Sequence, residues 1–246
     1  MCRLMGFVST KDFSLAEITG THFEEFAALS SFHRDGWGIA EMASGSSVPK
    51  LLVEPVQAST SPTFKKATSE IKSNGALLHL RWATAGLPVN EGNTHPFTSG
   101  DISFMHNGGV IPANSMDSLI DADLLESLRG DTDSERYFAT IISKVRKLGL
   151  TEGVIAALRL IRDTCDYSSL NAMLMTPDQM IIINEHNFKR IPAGQNESYY
   201  DLYYRKNSDG VLVASSGWDQ SGWTLIPNHR ALVIDRTTFA IEELTL

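Results

Sequence analysis

Cys2-Arg3-Leu4-Met5-Gly6-Phe7-Val8-Ser9 (CRLMGFVS) reads as a buried strand rather than a loose tail, with a cysteine at its head. Once Met1 is removed, Cys2 carries a thiol and a free α-amine a few ångströms apart. An α-amine with a pKa of about 7.7 to 8.0 is suited to take the proton of a thiol near 8.5, so one residue supplies both nucleophile and base. A small residue that happens to be cysteine fits the same position. The rest of the chain decides between the two.

The 246 residues are 42% hydrophobic and 20% charged, enough for one sizeable core, and one domain spanning 1–246 is expected. A net charge of -8 argues against a general grip on nucleic acid or an anionic membrane surface. No apolar run approaches a membrane span, and the first residues lack the layout of a secretion signal. Cys2 and Cys165 are too few for a disulfide framework, and neither has a Cys or His neighbour at zinc-ligand spacing. A reduced, cytoplasmic protein without metal or cofactor is expected.

Beyond the first strand, Ser14 can cap a helix whose apolar side holds Leu15, Ile18, Phe23, Phe26 and Leu29. The turn His33-Arg34-Asp35-Gly36-Trp37-Gly38 leads into a strand at 39–42. Further strands are expected at 50–53, 76–82 and 102–105, with a helix at about 62–73. Tyr137, Phe138, Ile141, Ile142, Val145 and Leu148 repeat at helical spacing up to Gly149. Val154, Ile155, Leu158 and Ile161 mark a second helix, completing a helical hairpin that ends near Cys165, a structural residue. Strands are expected again at 174–175, 180–183, 199–204, 211–214, 231–234 and 239–244, and exposed loops at 43–47 and 193–197. Strands, then helices, then strands suit an α+β protein with two helix-faced sheets better than alternating βαβ units.

Four stretches carry candidate chemistry. Arg81, at the end of the apolar strand in Leu78-His79-Leu80-Arg81-Trp82-Ala83-Thr84-Ala85-Gly86, suits two parallel hydrogen bonds to a carboxylate, although a strand-end arginine facing solvent fits equally. In Phe104-Met105-His106-Asn107-Gly108-Gly109, the Asn107 amide and the Gly108 N–H can together form an oxyanion hole; Asn-Gly is also a common turn. Thr132 and Glu135 fit a capping box ahead of the long helix, with Asp133 favourably placed at its N-terminus or facing a substrate ammonium. His95, in Asn93-Thr94-His95-Pro96, either shapes a pocket or sits in a plain turn.

In order, Cys2, Asp-Gly-Trp-Gly, Arg-Trp-Ala-Thr, Asn-Thr-His-Pro, His-Asn-Gly and Thr-Asp-Ser-Glu resemble the class II glutamine amidotransferases. The resemblance implies an N-terminal-nucleophile hydrolase with a four-layer αββα sandwich, as a single type-2 domain. It implies Cys2 as nucleophile with its own α-amine as base, Asn107 with Gly108 as oxyanion hole, Arg81 on the substrate α-carboxylate and Asp133 on its α-ammonium. Trp82 and Thr84 would line the pocket, with His95 beside them. The substrate would be glutamine or another γ-glutamyl compound, and ammonia would pass to water or to a synthase partner.

Two departures stand out. Ala85 occupies the place where many synthase-linked members have histidine, and the chain opens Cys-Arg-Leu rather than Cys-Gly-Ile. The opening Cys-Arg-Leu-Met-Gly-Phe and the Asp-Gly-Trp-Gly turn are more similar to the small stand-alone members, including YafJ-type amidotransferases and γ-glutamyl amidohydrolases. They leave open a γ-glutamyl peptide or thiol compound as substrate with no ammonia acceptor; a further alternative is a retained, non-catalytic sandwich that binds an amino acid or a protein partner and regulates it.

Overall fold

The opening stretch forms β1 (Arg3–Phe13) in a computed structural model that describes residues 2–246. Met1, and with it the expectation of its removal, lies outside the described residues. The helix after β1 is two short ones, α1 (Leu15–Thr19) and α2 (His22–Ala28). Ser14 begins α1 with a full capping box, its hydroxyl accepting the Glu17 N–H while the Glu17 carboxylate accepts the Ser14 N–H. The chain continues through β2 (Trp37–Glu41), β3 (Lys50–Glu54), α3 (Pro62–Glu70) and β4 (Ser73–Leu80). Next come β5 (Phe97–Ser99), β6 (Ile102–Ile111), α4 (Ala122–Glu126) and the expected hairpin, α5 (Asp133–Leu148) with α6 (Leu150–Thr164). Gly149, at φ 81°, terminates α5 in a conformation that favours glycine.

The last third is β7 (Asp166–Met175), β8 (Gln179–Asn184), β9 (Leu202–Lys206), β10 (Gly210–Ser215), β11 (Thr224–Ile226), β12 (Arg230–Asp235) and β13 (Ile241–Thr245). Two sheets result. One has the order β11-β9-β10-β1-β4-β2-β3, the other β13-β12-β8-β7-β6-β5. Every pairing between neighbouring strands in these orders is antiparallel.

Three buried clusters define four layers. Phe7, Phe23, Phe26, Trp37 and Phe64 join α1 to α3 with the first sheet. Phe104, Tyr137, Ile141, Val154 and Leu158 join the α5–α6 hairpin to the second. Between the sheets lie Leu4, Val8 and Leu77 with Met42, Met105, Met173, Met175 and Met180. This is the expected αββα sandwich.

Strand alternation sets which side chains face which layer. Leu4 and Val8 face the other sheet while Met5 and Phe7 face the helices, so Cys2 falls on the inter-sheet side and Arg3 on the helix side. Register then places Arg3 opposite Leu80, and Leu80 opposite Trp37, so the chain ends carrying Cys2, Arg81 and Asp35 converge at one edge of the first sheet.

Four expectations need correction. The strand expected at 174–175 runs back to Asp166, because Ser169 and Asn171 are fully buried polar residues satisfied by hydrogen bonds and so break the apolar pattern. The strand at 199–204 is a 3₁₀ turn at Glu197–Tyr200 followed by β9. The last strand starts at Ile241, since Phe239 sits at φ 56° in a turn whose N–H groups at Thr237 and Thr238 bond to the Asp235 carboxylate. The capping box at α5 is half formed: Thr132 accepts the Glu135 N–H, but the Glu135 carboxylate accepts the N–H groups of Arg129 and Gly130 instead.

Candidate active site

A cavity of about 540 Å³ opens where the converging strand ends of the first sheet meet β6 and the N-terminus of α5. Cys2, Arg81, Trp82, Thr84, His95, Gly108 and Asp133 all line it. Asn107 is not among the lining residues. Its side chain lies on the inter-sheet side of β6, two positions after Met105, and both its amide Nδ2 and Oδ1 are buried without a hydrogen-bond partner among the described residues.

Cys2 is partly buried, and its Sγ donates to the Trp82 carbonyl across 3.7 Å. Burial pushes the thiol above its ordinary range; the Arg81 guanidinium opposes that shift and the Asp133 carboxylate adds to it. A base beside the thiol is therefore needed to generate thiolate near neutral pH.

The Arg81 guanidinium is 3% exposed and is held by two backbone carbonyls, Nη1 donating to Asp35 O at 3.3 Å and Nη2 to Pro88 O at 3.1 Å. Asp35 also accepts the Ala83 N–H through Oδ2 at 2.8 Å, which fixes the backbone between Trp82 and Ala83. Burial lowers the guanidinium pKa, with Cys2 and Asp35 opposing. A cation held by neutral carbonyls and facing a cavity is prepared for an incoming carboxylate.

Asp133 opens α5 and is 9% exposed, with Oδ2 accepting the Val110 N–H at 2.8 Å. Its position fits both a helix-terminus carboxylate and a counter-charge for an ammonium group.

Behind the cavity stand three buried histidines. His106 Nε2 lies 3.0 Å from Ser169 O, so that nitrogen carries the proton and Nδ1 accepts the Ser134 hydroxyl at 2.9 Å. Burial holds its pKa below the ordinary histidine value, against the pull of Asp133. His79 is lowered by burial to about 3, and His95, for the same reason, lies well below 6.5. The His95 ring stacks on His79 at 4.2 Å with both nitrogens unpartnered. All three are neutral at pH 7; His95 and His106 form part of the cavity wall, and His79 stacks behind His95.

Two glycines are sterically required. A Cβ on Gly108 would sit 1.9 Å from Ser169 O, and one on Gly38 would sit 2.2 Å from His95 O. Asp35, His106, Ser134 and Ser168 complete the site, and of these Ser168 alone falls outside the motifs singled out in the sequence. Among the described residues, no group of three or more His, Cys, Asp or Glu side chains is placed to hold a metal ion, and no helix is long and apolar enough to cross a membrane.

Known proteins resemble this chain over much of its length. The probable glutamine amidotransferase DUG3 of Saccharomyces cerevisiae is 24% identical over 255 residues, covering 84% of this chain and 71% of that one. The γ-glutamyl-hercynylcysteine sulfoxide hydrolase of Mycobacterium tuberculosis is 27% identical over 249 residues, covering 95% and 93%. The glutamine–fructose-6-phosphate aminotransferase of Fusobacterium nucleatum is 29% identical over 161 residues, which span 58% of this chain and 25% of the larger protein. Among solved structures, a glutamine aminotransferase class-II domain protein from Silicibacter pomeroyi superposes with a TM-score of 0.69 at 19% identity, covering 100% of this chain and 99% of that one. The glutamine phosphoribosylpyrophosphate amidotransferase of B. subtilis gives 0.64 at 17% identity, covering 99% of this chain and 49% of that one. Residues 1–189 match the family described as glutamine amidotransferases class-II, and the chain belongs to that family.

Proposed function

We propose that this chain, with Met1 removed, hydrolyses a γ-glutamyl amide bond through a thioester on Cys2. The observation that carries this reading is one cavity lined by a thiol, a buried guanidinium and a buried carboxylate. That set matches the three groups of a γ-glutamyl substrate: its carbonyl, its α-carboxylate and its α-ammonium.

The α-amine of Cys2 takes the thiol proton, and the thiolate adds to the γ-carbonyl. The oxyanion is stabilised by the Gly108 N–H and the Asn107 amide, which has no hydrogen-bond partner among the described residues. The amide nitrogen departs with a proton as ammonia or an amine, leaving a γ-glutamyl thioester. Water then adds to that carbonyl, and glutamate and the thiol are restored. Arg81 binds the α-carboxylate and Asp133 the α-ammonium, while Trp82, Thr84 and His95 shape the walls.

A larger leaving group than ammonia is favoured by the wall itself. Ala85, Leu87, Ile111, Pro112 and Ala113 give part of the cavity wall an apolar lining that an amine or peptide leaving group can pack against. The relative named a γ-glutamyl-hercynylcysteine sulfoxide hydrolase aligns over nearly the whole of both chains. If ammonia is instead passed to a synthase, that partner must cover the mouth beside Trp82, which is 43% exposed. A thiol nucleophile suits a reducing, cytoplasmic setting. Residues 1–246 act as one domain in this reading, since each sheet combines strands from early and late in the chain.

The test is to assay Met-processed protein against glutamine and a panel of γ-glutamyl amides. Turnover that is lost in Cys2→Ala is expected, with kcat/KM ranking the leaving groups. Activity retained in Cys2→Ala, or no turnover of any compound by protein whose mass shows Met1 gone, overturns the proposal.

A further inference from the structure

Arg3 has no part in the proposed reaction. It faces the opposite side of β1 from Cys2, where it lines a second cavity of about 500 Å³ with Gln195, Asn196, Tyr199, Trp218 and Gln220. The side chain is 6% exposed, yet among the described residues it forms no ion pair. Its protein contacts are a hydrogen bond from Nη1 to Tyr199 O at 3.0 Å and the Tyr199 ring, whose centroid lies 4.7 Å from the guanidinium carbon. Among the described residues Nε is buried without a hydrogen-bond partner, and no hydrogen bond joins Nη2 to any of them.

A desolvated cation without a counter-charge is costly, so a position of this kind calls for an anion. The unengaged edge of the guanidinium, formed by Nε–H and Nη2–H, has the spacing that receives a carboxylate side-on. Space is kept for it by Gly217, at φ 112°. A Cβ there would stand 3.3 Å from Nε and 3.4 Å from Nη2, nearer to both than to the carbon between them.

We propose that this cavity is a binding site for the carboxylate of a small organic acid, held by the Nε–H and Nη2–H edge of Arg3. One cation among neutral amides, hydroxyls and aromatic rings matches a single negative charge. A phosphate or sulfate, with about two charges, is left undercompensated. The site is separate from the Arg81 pocket, since β1 itself stands between the two faces.

The experiment is a titration of the full chain with propionate and benzoate, followed by the NMR resonance of the Arg3 Nε–H and by tryptophan fluorescence. Saturable shifts in both are expected in wild type and, unchanged, in Arg81→Met; in Arg3→Met the fluorescence titration is weakened tenfold or more. Sulfate at matched ionic strength is expected to leave the Nε–H resonance in place. No saturation in the wild type, equal affinity for sulfate, or loss of binding in Arg81→Met each overturns the proposal. Arg3→Met is expected to fold, because it removes a buried uncompensated charge; should it not, the wild-type resonance and the Arg81→Met arm decide alone.

Discussion

Asp133 Oδ2, on the first residue of α5, accepts the Val110 N–H of β6 at 2.8 Å. The bond ties the helix N-terminus to the strand that carries Asn107 and Gly108, so the proposed ammonium partner and oxyanion hole are held as one unit. Asp133→Asn retains an acceptor for Val110 but loses the charge. We expect its melting temperature to stay within a few degrees of wild type while KM for a γ-glutamyl substrate rises about 10- to 100-fold. Asp133→Ala should lose both, with about 1–3 kcal/mol of stability. Steady-state kinetics beside thermal melts separate these outcomes; equal kinetic effects with no change in KM would assign Asp133 a purely structural role.

Asn107 gives the converse test. Its amide has no hydrogen-bond partner among the described residues, so Asn107→Ala removes little that holds the fold together. Catalysis is another matter: loss of one oxyanion donor is expected to lower kcat about 10²- to 10³-fold, with KM nearly unchanged. Single-turnover rates compared with urea unfolding curves would show it.

Arg81→Lys keeps the charge but cannot hold the carbonyls of Asp35 and Pro88 and a carboxylate together. A loss of about 10- to 150-fold in kcat/KM is expected for γ-glutamyl substrates. For an amide lacking the α-carboxylate, wild type and variant should be equally poor, which kinetics on the paired substrates would reveal.

Stability should fall steeply in mild acid. His79, His95 and His106 are held neutral by burial, with folded pKa values below the unfolded value near 6.5. Their contribution is fully present above about pH 6.5. As pH falls below that, the unfolded chain binds protons that the folded chain refuses, and the contribution is lost progressively towards the folded pKa, about 3 for His79. Each site adds a slope of up to about 1.4 kcal/mol per pH unit. His95→Phe, which replaces a ring with no hydrogen bonds by another that stacks, should flatten the profile by one such slope in urea melts between pH 7 and 5. An unaltered profile would contradict this account.

Gly108→Ala should unfold the site rather than merely slow it. The new Cβ meets Ser169 O at 1.9 Å and His106 Nε2 at 2.7 Å, so β6 and β7 must part at the Gly108–Leu170 pair. A loss of about 1–3 kcal/mol with activity at background is expected in parallel melts and assays.

The chain's pattern made some of this legible and hid the rest for physical reasons. Cys2 and Arg81 could be singled out because each is an unusual residue type at the end of an apolar strand, Asp133 because it follows a helix-capping threonine, and the α5–α6 hairpin because its period is sustained over two helices. The polar first half of β7 was invisible, since Ser169 and Asn171 are buried through hydrogen bonds made across the fold to Glu185 and Tyr200. Glu135 matched a capping box locally, yet its carboxylate is taken by the turn at Arg129 and Gly130. The open cavity beside Arg3 depends on Gly217, more than two hundred residues away, and no local pattern reports such a meeting.

The layer between the sheets now takes on a mechanical meaning. Cys2 and Arg81 ride on one sheet, Asn107 and Gly108 on the other, so the distance from nucleophile to oxyanion donors is set by how closely two slabs are stacked. Five methionines stand in that spacer among leucine, isoleucine and valine side chains, and Met173 Sδ rests near Gly6, where a Cβ would stand 3.2 Å from it. Thioethers are pliable filling. The gauge of this reaction centre is therefore a soft washer of sulfur side chains, and oxidising them to the larger, polar sulfoxide would force the slabs apart without touching a single group proposed to meet the substrate.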